Sequence, residues 1–132
     1  MMRLVITALL FVGGLFFLFT GTGFLLDPSV TGADFGLEAN GARGLSSLRA
    51  DLTAFFWVGG GCMIWGAWKR NGDPLIASAA LFAIALLGRA VSMIADGPYE
   101  GWWLPMAVEA ITVIVCLVGW QMLPHHDLTQ EG

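Results

Sequence analysis

Four long stretches of the 132-residue sequence carry almost no charge, and this feature limits the possible folds more than any other. Each stretch approaches the roughly 20 residues that an α-helix needs to span the hydrocarbon core of a bilayer. The whole chain is 12% charged, whereas soluble domains contain roughly 25% charged residues. The sequence therefore predicts a single all-α domain that is integral to a membrane. The predicted spans cover about residues 4–26, 50–68, 75–95 and 102–123.

The links between the stretches predict how the helices are arranged. Spans two, three and four are joined by short links, which place consecutive helices side by side in opposite directions. The first link, residues 27–49, is longer, polar and rich in glycine and serine, so we expect a loop with a short interfacial helix. Asp27-Pro28 ends the first span, because the residue before a proline avoids helical geometry. These features predict an up-down four-helix bundle.

The basic residues predict the orientation in the membrane, since cytoplasmic segments carry an excess of lysine and arginine. Arg3, Lys69 and Arg70 lie on the side of both termini, whereas Arg43 and Arg49 lie on the opposite side. Three basic residues against two favour an orientation with both termini in the cytoplasm.

Two charged residues lie well inside the predicted spans. Arg89 precedes Asp96 by seven residues, and Glu109 follows Trp102 by seven. At 1.5 Å per residue, both side chains lie about 10 Å below the same membrane surface on neighbouring antiparallel helices. A single charge at this depth costs several kcal/mol. We therefore expect the two side chains to pair or to line a polar cavity.

Further polar residues approach the same membrane surface. Spacings of three and seven residues place Ser92 and Asp96 on the helix face of Arg89. Arg49 and Asp51 approach from the start of the second span. We expect these ionisable groups to converge. The candidate ligand-binding residues are therefore Arg49, Asp51, Arg89, Asp96 and Glu109.

The charged pair has three interpretations at the level of the sequence. It can be an internal ion pair that fixes helix register and binds nothing. Alternatively, the Arg89 guanidinium can hold the polar head of an amphiphile whose tail lies between the helices, or Glu109 can accept a proton. No motif assigns a reaction, so the sequence does not decide whether the chain is an enzyme.

Composition and residue spacing argue against several other kinds of site. Ten acidic residues against six basic ones give a net charge of −4, so no basic surface for nucleic acid is expected. Cys62 and Cys116 lie in apolar stretches and predict neither a disulfide framework nor a zinc site. His125-His126 stands in a polar tail without companion ligands, so no metal site is predicted. No residues that would hold a cofactor are identifiable.

Several segments are similar to a known group of proteins. They are Asp27-Pro28, RADLTAFFWVGGG from Arg49 to Gly61, GRAVSMIADG from Gly88 to Gly97, and VEAI around Glu109. On these segments the chain resembles small bacterial four-helix membrane proteins of unknown function, of the DoxX-like type. The resemblance implies a bacterial inner-membrane protein without an assigned activity. DoxX-like relatives look like accessory membrane subunits in quinone-linked oxidation.

These observations lead to two functional hypotheses. The first is an accessory or interaction subunit of a larger membrane complex or of a homo-oligomer, because the chain is small and lacks a catalytic constellation. The alternative is a binding pocket, catalytic or not, for a lipid, quinone or other amphiphile, built on the charged cluster. Membrane lipid is an expected partner in both cases.

Overall fold

The computed structural model describes residues 1–124 of the chain. Within these residues no β-strand occurs, so the prediction of an all-α chain is confirmed for this part. The elements are α1 (Met2–Leu26), α2 (Pro28–Asp34), α3 (Gly41–Ser47), a π-helical turn (Leu48–Leu52), α4 (Thr53–Lys69), α5 (Pro74–Ala95) and α6 (Trp103–Met122).

Two prolines and one arginine mark helix limits. The Asp27 carboxylate, directly after α1, accepts a hydrogen bond from the Val30 N–H at 3.3 Å and so begins α2. Pro28 and Pro74 stand in the first turns of α2 and α5, where a missing N–H does no harm. Helix α4 ends at Arg70, whose φ of 49° is left-handed. The limits of the four long helices lie within three residues of those predicted from the sequence.

Three helices of the described part are long and apolar enough to cross a membrane, namely α1, α5 and α6. Helix α4 is not among them, because it contains only 17 residues. Its length of about 25 Å falls short of a hydrocarbon core of about 30 Å. Of the four predicted spans, the first, third and fourth therefore correspond to helices long enough to cross a membrane, and the second does not. The π-helical turn continues into α4 without a break.

The polar segment 27–49 is more regular than the predicted loop with one short helix. It contains α2, α3 and the start of the π-helical turn, and this turn contacts α1, α2 and α3. The sequence of α3, GARGLSS, is rich in glycine and serine, which are weak helix formers. Contacts with neighbouring elements stabilise such a short helix, and local sequence preference does not reveal them.

The four long helices contact one another in a closed order. Helix α1 packs on α4, α4 on α5, α5 on α6 and α6 on α1. Phenylalanine rings fill the centre: the ring centroids of Phe17 and Phe82 are 4.5 Å apart, and those of Phe24 and Phe56 are 5.9 Å apart. Each such pair contributes about 0.5–1.5 kcal/mol beyond the burial of the rings. Many other large apolar side chains stay exposed, as expected for surfaces that face lipid.

Helices α1 and α4 touch through glycine backbones. A Cβ atom on Gly60 would lie 2.7 Å from the Gly14 carbonyl oxygen and 3.0 Å from the Phe17 Cβ. Side chains larger than hydrogen would separate the two helices. Close approach of this kind matters in lipid, where helices gain little from hydrophobic burial against each other.

Two buried hydroxyls also join neighbouring helices. Thr53 Oγ1 in α4 donates a hydrogen bond to the Gly21 carbonyl of α1 at 3.2 Å. Ser78 Oγ in α5 donates to the Gly59 carbonyl of α4 at 2.6 Å. Each bond satisfies a hydroxyl that hydrocarbon would leave without a partner.

We expect Gly60→Ala to lower the free energy of unfolding in mild detergent by about 1–3 kcal/mol, the usual range for overpacking. The added methyl group meets backbone atoms of α1, which cannot rotate away. Gly61→Ala is the matched control, because nothing lies within 4 Å of a Cβ atom at Gly61. It should be neutral or should stabilise by about 0.5–1 kcal/mol, since alanine favours helices. Thermal unfolding checks both variants, and equal losses would contradict the close contact between α1 and α4.

Candidate functional site

Arg89 and Glu109 form an ion pair between two neighbouring helices. Arg89 lies in α5 and Glu109 in α6, and the Arg89 Nε–H donates a hydrogen bond to Glu109 Oε1. The Glu109 side chain is 9% exposed, whereas the Arg89 side chain is 35% exposed. The contact predicted from equal depth on neighbouring helices is therefore present.

The pair uses only one polar atom of each side chain. Glu109 Oε2 is buried and has no hydrogen-bond partner within residues 1–124. A guanidinium has five N–H donors, and in the described part only the Nε–H of Arg89 is bonded to protein. A bidentate pair would also join an Nη–H to Oε2. The geometry instead leaves a buried acceptor and the Nη donors free for another partner.

A small open cleft with a cavity volume of about 50 Å³ lies beside Arg89. It is formed by the last turns of α5, the α5–α6 link and the start of α6. Its walls combine one cation, one hydroxyl, two thioethers and two aromatic rings that carry a hydrogen-bond donor. The lining residues are Arg89, Ser92, Met93, Tyr99, Trp102 and Met106.

Asp96 is linked to this cleft through Ser92. The Ser92 hydroxyl donates a hydrogen bond to Asp96 Oδ2 at 2.7 Å, and Asp96 itself is an exposed residue at the end of α5. Because this bond uses the hydroxyl proton, Ser92 presents only oxygen lone pairs to a ligand. Asp96 thus orients a wall residue and does not pair with Arg89.

Arg49 and Asp51 form no hydrogen bond or ion pair with Arg89 or Glu109 in the described residues. Arg49 Nη1 donates a hydrogen bond to the Leu25 carbonyl of α1 at 2.7 Å. Asp51 is exposed in the π-helical turn and forms no hydrogen bond or ion pair within residues 1–124. The physical reason is that the last carbonyls of a helix lack intrahelical partners. Since α1 ends at Leu26, the Leu25 carbonyl is one of these oxygens, and Arg49 bonds to it.

Sequence reasoning missed four of the residues that line the cleft. Met93 lies four residues after Arg89, so both share one face of α5, and this spacing is a signal that the sequence contains. Met106 comes from the first turns of α6. Tyr99 and Trp102 belong to the α5–α6 link. Nothing in the sequence predicts how that link turns.

The described residues offer no obvious metal site. No group of three or more His, Cys, Asp or Glu residues that could hold a metal ion occurs in this part of the chain. Cys62 and Cys116 are free cysteines. His125 and His126, considered in the sequence analysis, lie outside the described residues.

Residues 5–121 match the family described as Domain of unknown function (DUF4345). The chain belongs to this family. Neither the comparison with curated proteins nor the comparison with solved structures gave a match. The family match agrees with the expected resemblance to proteins of unknown function, but it does not support the DoxX-like grouping. The matched region of this DUF4345 protein contains both the ion pair and the cleft.

Removing Arg89 from this DUF4345 protein should reduce stability more than removing Glu109. Arg89→Leu leaves a carboxylate that is only 9% exposed without its counter-ion, and breaking a buried pair from one side costs about 3–5 kcal/mol. Glu109→Leu leaves a guanidinium that is 35% exposed. A long basic side chain can carry its charge to the surface, so we expect a smaller loss. Thermal unfolding in mild detergent measures the difference.

The Arg89→Leu/Glu109→Leu double variant completes this test. It should recover much of the lost stability, because it leaves neither charge alone in hydrocarbon. Comparing the unchanged protein, the two single variants and the double variant gives the coupling between the positions. Simple addition of the two single losses would show that the side chains do not depend on each other.

Proposed function

We propose that this DUF4345 protein is a small membrane protein that binds the polar head of an amphiphile, such as a lipid or a quinone, beside Arg89. One observation carries the proposal. Glu109 holds the Arg89 guanidinium through Nε alone, so its Nη donors have no protein partner in the described residues, and Arg89 lines a cleft at the α5–α6 link. Donors in this position favour an oxygen acceptor, whether it belongs to a phosphate, a carboxylate or a quinone carbonyl.

The walls of the cleft suit a polar head that is attached to an apolar body. Met93 and Met106 contribute polarizable thioethers, and Tyr99 and Trp102 contribute amphipathic rings. The cavity volume of about 50 Å³ is far below the approximately 300–1,000 Å³ of pockets that enclose a whole drug-sized ligand. We therefore assign only the head to the cleft. The tail then lies along the apolar surface of α5, where Ile94 is almost fully exposed.

Glu109 has two roles in this proposal. Its carboxylate balances the charge of Arg89, so the two side chains together are neutral. Such a pair can accept an uncharged carbonyl as well as an anion. Its buried Oε2 has no partner in the described part, and it is the atom that would accept a hydrogen bond or a proton from a bound head.

The proposal includes a membrane arrangement. The closed order of helix contacts supports an up-down four-helix bundle. In this bundle the π-helical turn and α4 together form the second span along the chain. The bacterial inner membrane is proposed from the resemblance described above. A cytoplasmic location of both termini is proposed because Arg3, Lys69 and Arg70 outnumber Arg43 and Arg49.

Reporter fusions test this arrangement. Reporters after Gly132 and within 69–73 should give cytoplasmic signals, whereas one within 30–45 should give an external signal, because loops rich in basic residues stay in the cytoplasm. The reverse pattern would invert the orientation. The same signal from 30–45 and 69–73 would show that α4 does not cross the membrane.

Native mass spectrometry of the full chain in mild detergent tests the binding site. We expect a co-purified amphiphile on the unchanged protein and its loss from the Arg89→Leu/Glu109→Leu variant, which should stay folded because it contains no stranded charge. Met106→Trp is a second variant that fills the cleft while leaving both members of the ion pair in place. The proposal fails if the unchanged protein carries no amphiphile, or if both variants retain it.

An accessory or interaction subunit is the second candidate function. Two glycines that no other part of the chain packs against favour it. Gly61 in α4 and Gly88 in α5 lie within long helices, yet nothing lies within 4 Å of a Cβ atom at either position. Small residues allow a further helix to approach closely in lipid, from a larger complex or from a second copy. In the same preparation, a co-migrating protein or a dimer that is lost in Gly61→Leu would favour this candidate.

A further inference from the structure

A second cleft lies at the opposite end of α5 from the Arg89 cleft. It is an open cleft formed by the first turns of α1, the residues that end α4 and the residues that follow α6, and its cavity volume is about 360 Å³. Two arginines share this cleft, and no carboxylate is among the described side chains that line it. Its walls include Arg3, Leu4, Thr7, Arg70, Leu123 and Pro124.

The wall that carries Arg70 is held in place by backbone contacts. The Gly72 N–H donates a hydrogen bond to the Pro124 carbonyl at 2.8 Å, which ties the α4–α5 link to the end of α6. A Cβ atom on Gly72 would lie 2.8 Å from the Trp120 carbonyl oxygen. The link therefore packs directly on α6. A preformed cleft of this kind loses little conformational freedom on binding.

Arg70 has a backbone conformation that glycine would adopt more easily. Its φ is 49°, and no other non-glycine residue in 1–124 has a positive φ. Helices commonly end in this left-handed conformation, but usually with glycine, because a Cβ atom is disfavoured there.

The positive charge of the cleft has no counter-ion in the described part of the chain. Arg3 and Arg70 form no ion pair with other residues of 1–124. Arg3 also lies in the first turn of α1, where the helix dipole disfavours a cation and favours an anion. Exposed Trp65 and Trp68 near the end of α4 are typical of a membrane–water interface. The cleft therefore combines unpaired positive charge with an interfacial position.

We propose that Arg3 and Arg70 bind the phosphate group of an anionic phospholipid, whose acyl chain lies along the exposed face of α1 from Leu4 onward. Guanidinium groups bind phosphate oxygens in pairs, and basic pockets at the ends of membrane helices bind anionic headgroups. Buried Leu123 gives the cleft an apolar floor. This site is separate from the Arg89 cleft and does not depend on the function proposed for it.

Titration of the full chain with phosphatidylglycerol in a neutral detergent, followed by native mass spectrometry, tests this site. Arg3→Gln and Arg70→Gly should each weaken binding about fivefold, the usual contribution of one basic residue near a membrane surface. Glycine adopts the left-handed conformation without strain, so Arg70→Gly should unfold no earlier than the unchanged protein. A loss of binding in this variant therefore reports on the guanidinium. Phosphatidylcholine, which has a phosphate but no net charge, should bind more weakly.

Two controls separate this site from general electrostatic attraction. Arg43→Gln removes the same charge from an exposed residue that lines neither cleft, so it should leave the affinity for phosphatidylglycerol unchanged. Inorganic phosphate should compete poorly, because it lacks the acyl chain. Unchanged phosphatidylglycerol affinity in both Arg3→Gln and Arg70→Gly would overturn the proposal. Tight binding of inorganic phosphate by a protein that does not retain phosphatidylglycerol would overturn the assignment to a lipid.

Discussion

Polar groups within hydrocarbon must find partners inside the protein, and the packing of this chain depends on that constraint. Among the contacts that satisfy it between helices, the Thr53 hydroxyl joins α4 to α1, the Ser78 hydroxyl joins α5 to α4, and the Arg89–Glu109 pair joins α5 to α6. Each contact links helices that also pack on each other. Since lipid removes most of the hydrophobic gain from helix association, these contacts and the glycine surfaces together select the helix order.

The glycines of α4 connect the polar contacts to the aromatic core. The Gly59 carbonyl accepts a hydrogen bond from the Ser78 hydroxyl. A Cβ atom on Gly59 would lie 2.8 Å from Phe82 Cε2. Phe82 therefore occupies the space that a side chain at position 59 would need, and its ring reaches Phe17 of α1. One residue further, Gly60 meets the α1 backbone. Helix α4 is shorter than its neighbours, but it is in contact with α1 on one side and α5 on the other through this segment.

The sequence predicts those features that depend on depth and on chain breaks. Asp27-Pro28 ends α1, and the Arg89–Glu109 contact follows from equal depth on neighbouring helices. The position of Arg49 could not be predicted in the same way, because its partner is a backbone carbonyl that any helix end exposes. The Arg89 cleft also escaped prediction. Its link contains Gly97 and Gly101 with φ values of 90° and 79°, and glycine permits many turns without specifying one.

The Arg89–Glu109 pair is asymmetric in both its hydrogen bonding and its burial. A bidentate arginine–carboxylate pair would form two parallel hydrogen bonds. Here Glu109 Oε2 has no partner in the described residues, and the Arg89 side chain stays one-third exposed beside a cleft. An unsatisfied buried acceptor costs about 1–3 kcal/mol, so a partner for Glu109 Oε2 would stabilise the pair. In the proposed function, the Nε contact restrains the guanidinium, and restrained donors would lose less entropy on binding a polar head. The ion pair would then serve both as the contact between α5 and α6 and as the support of the binding group.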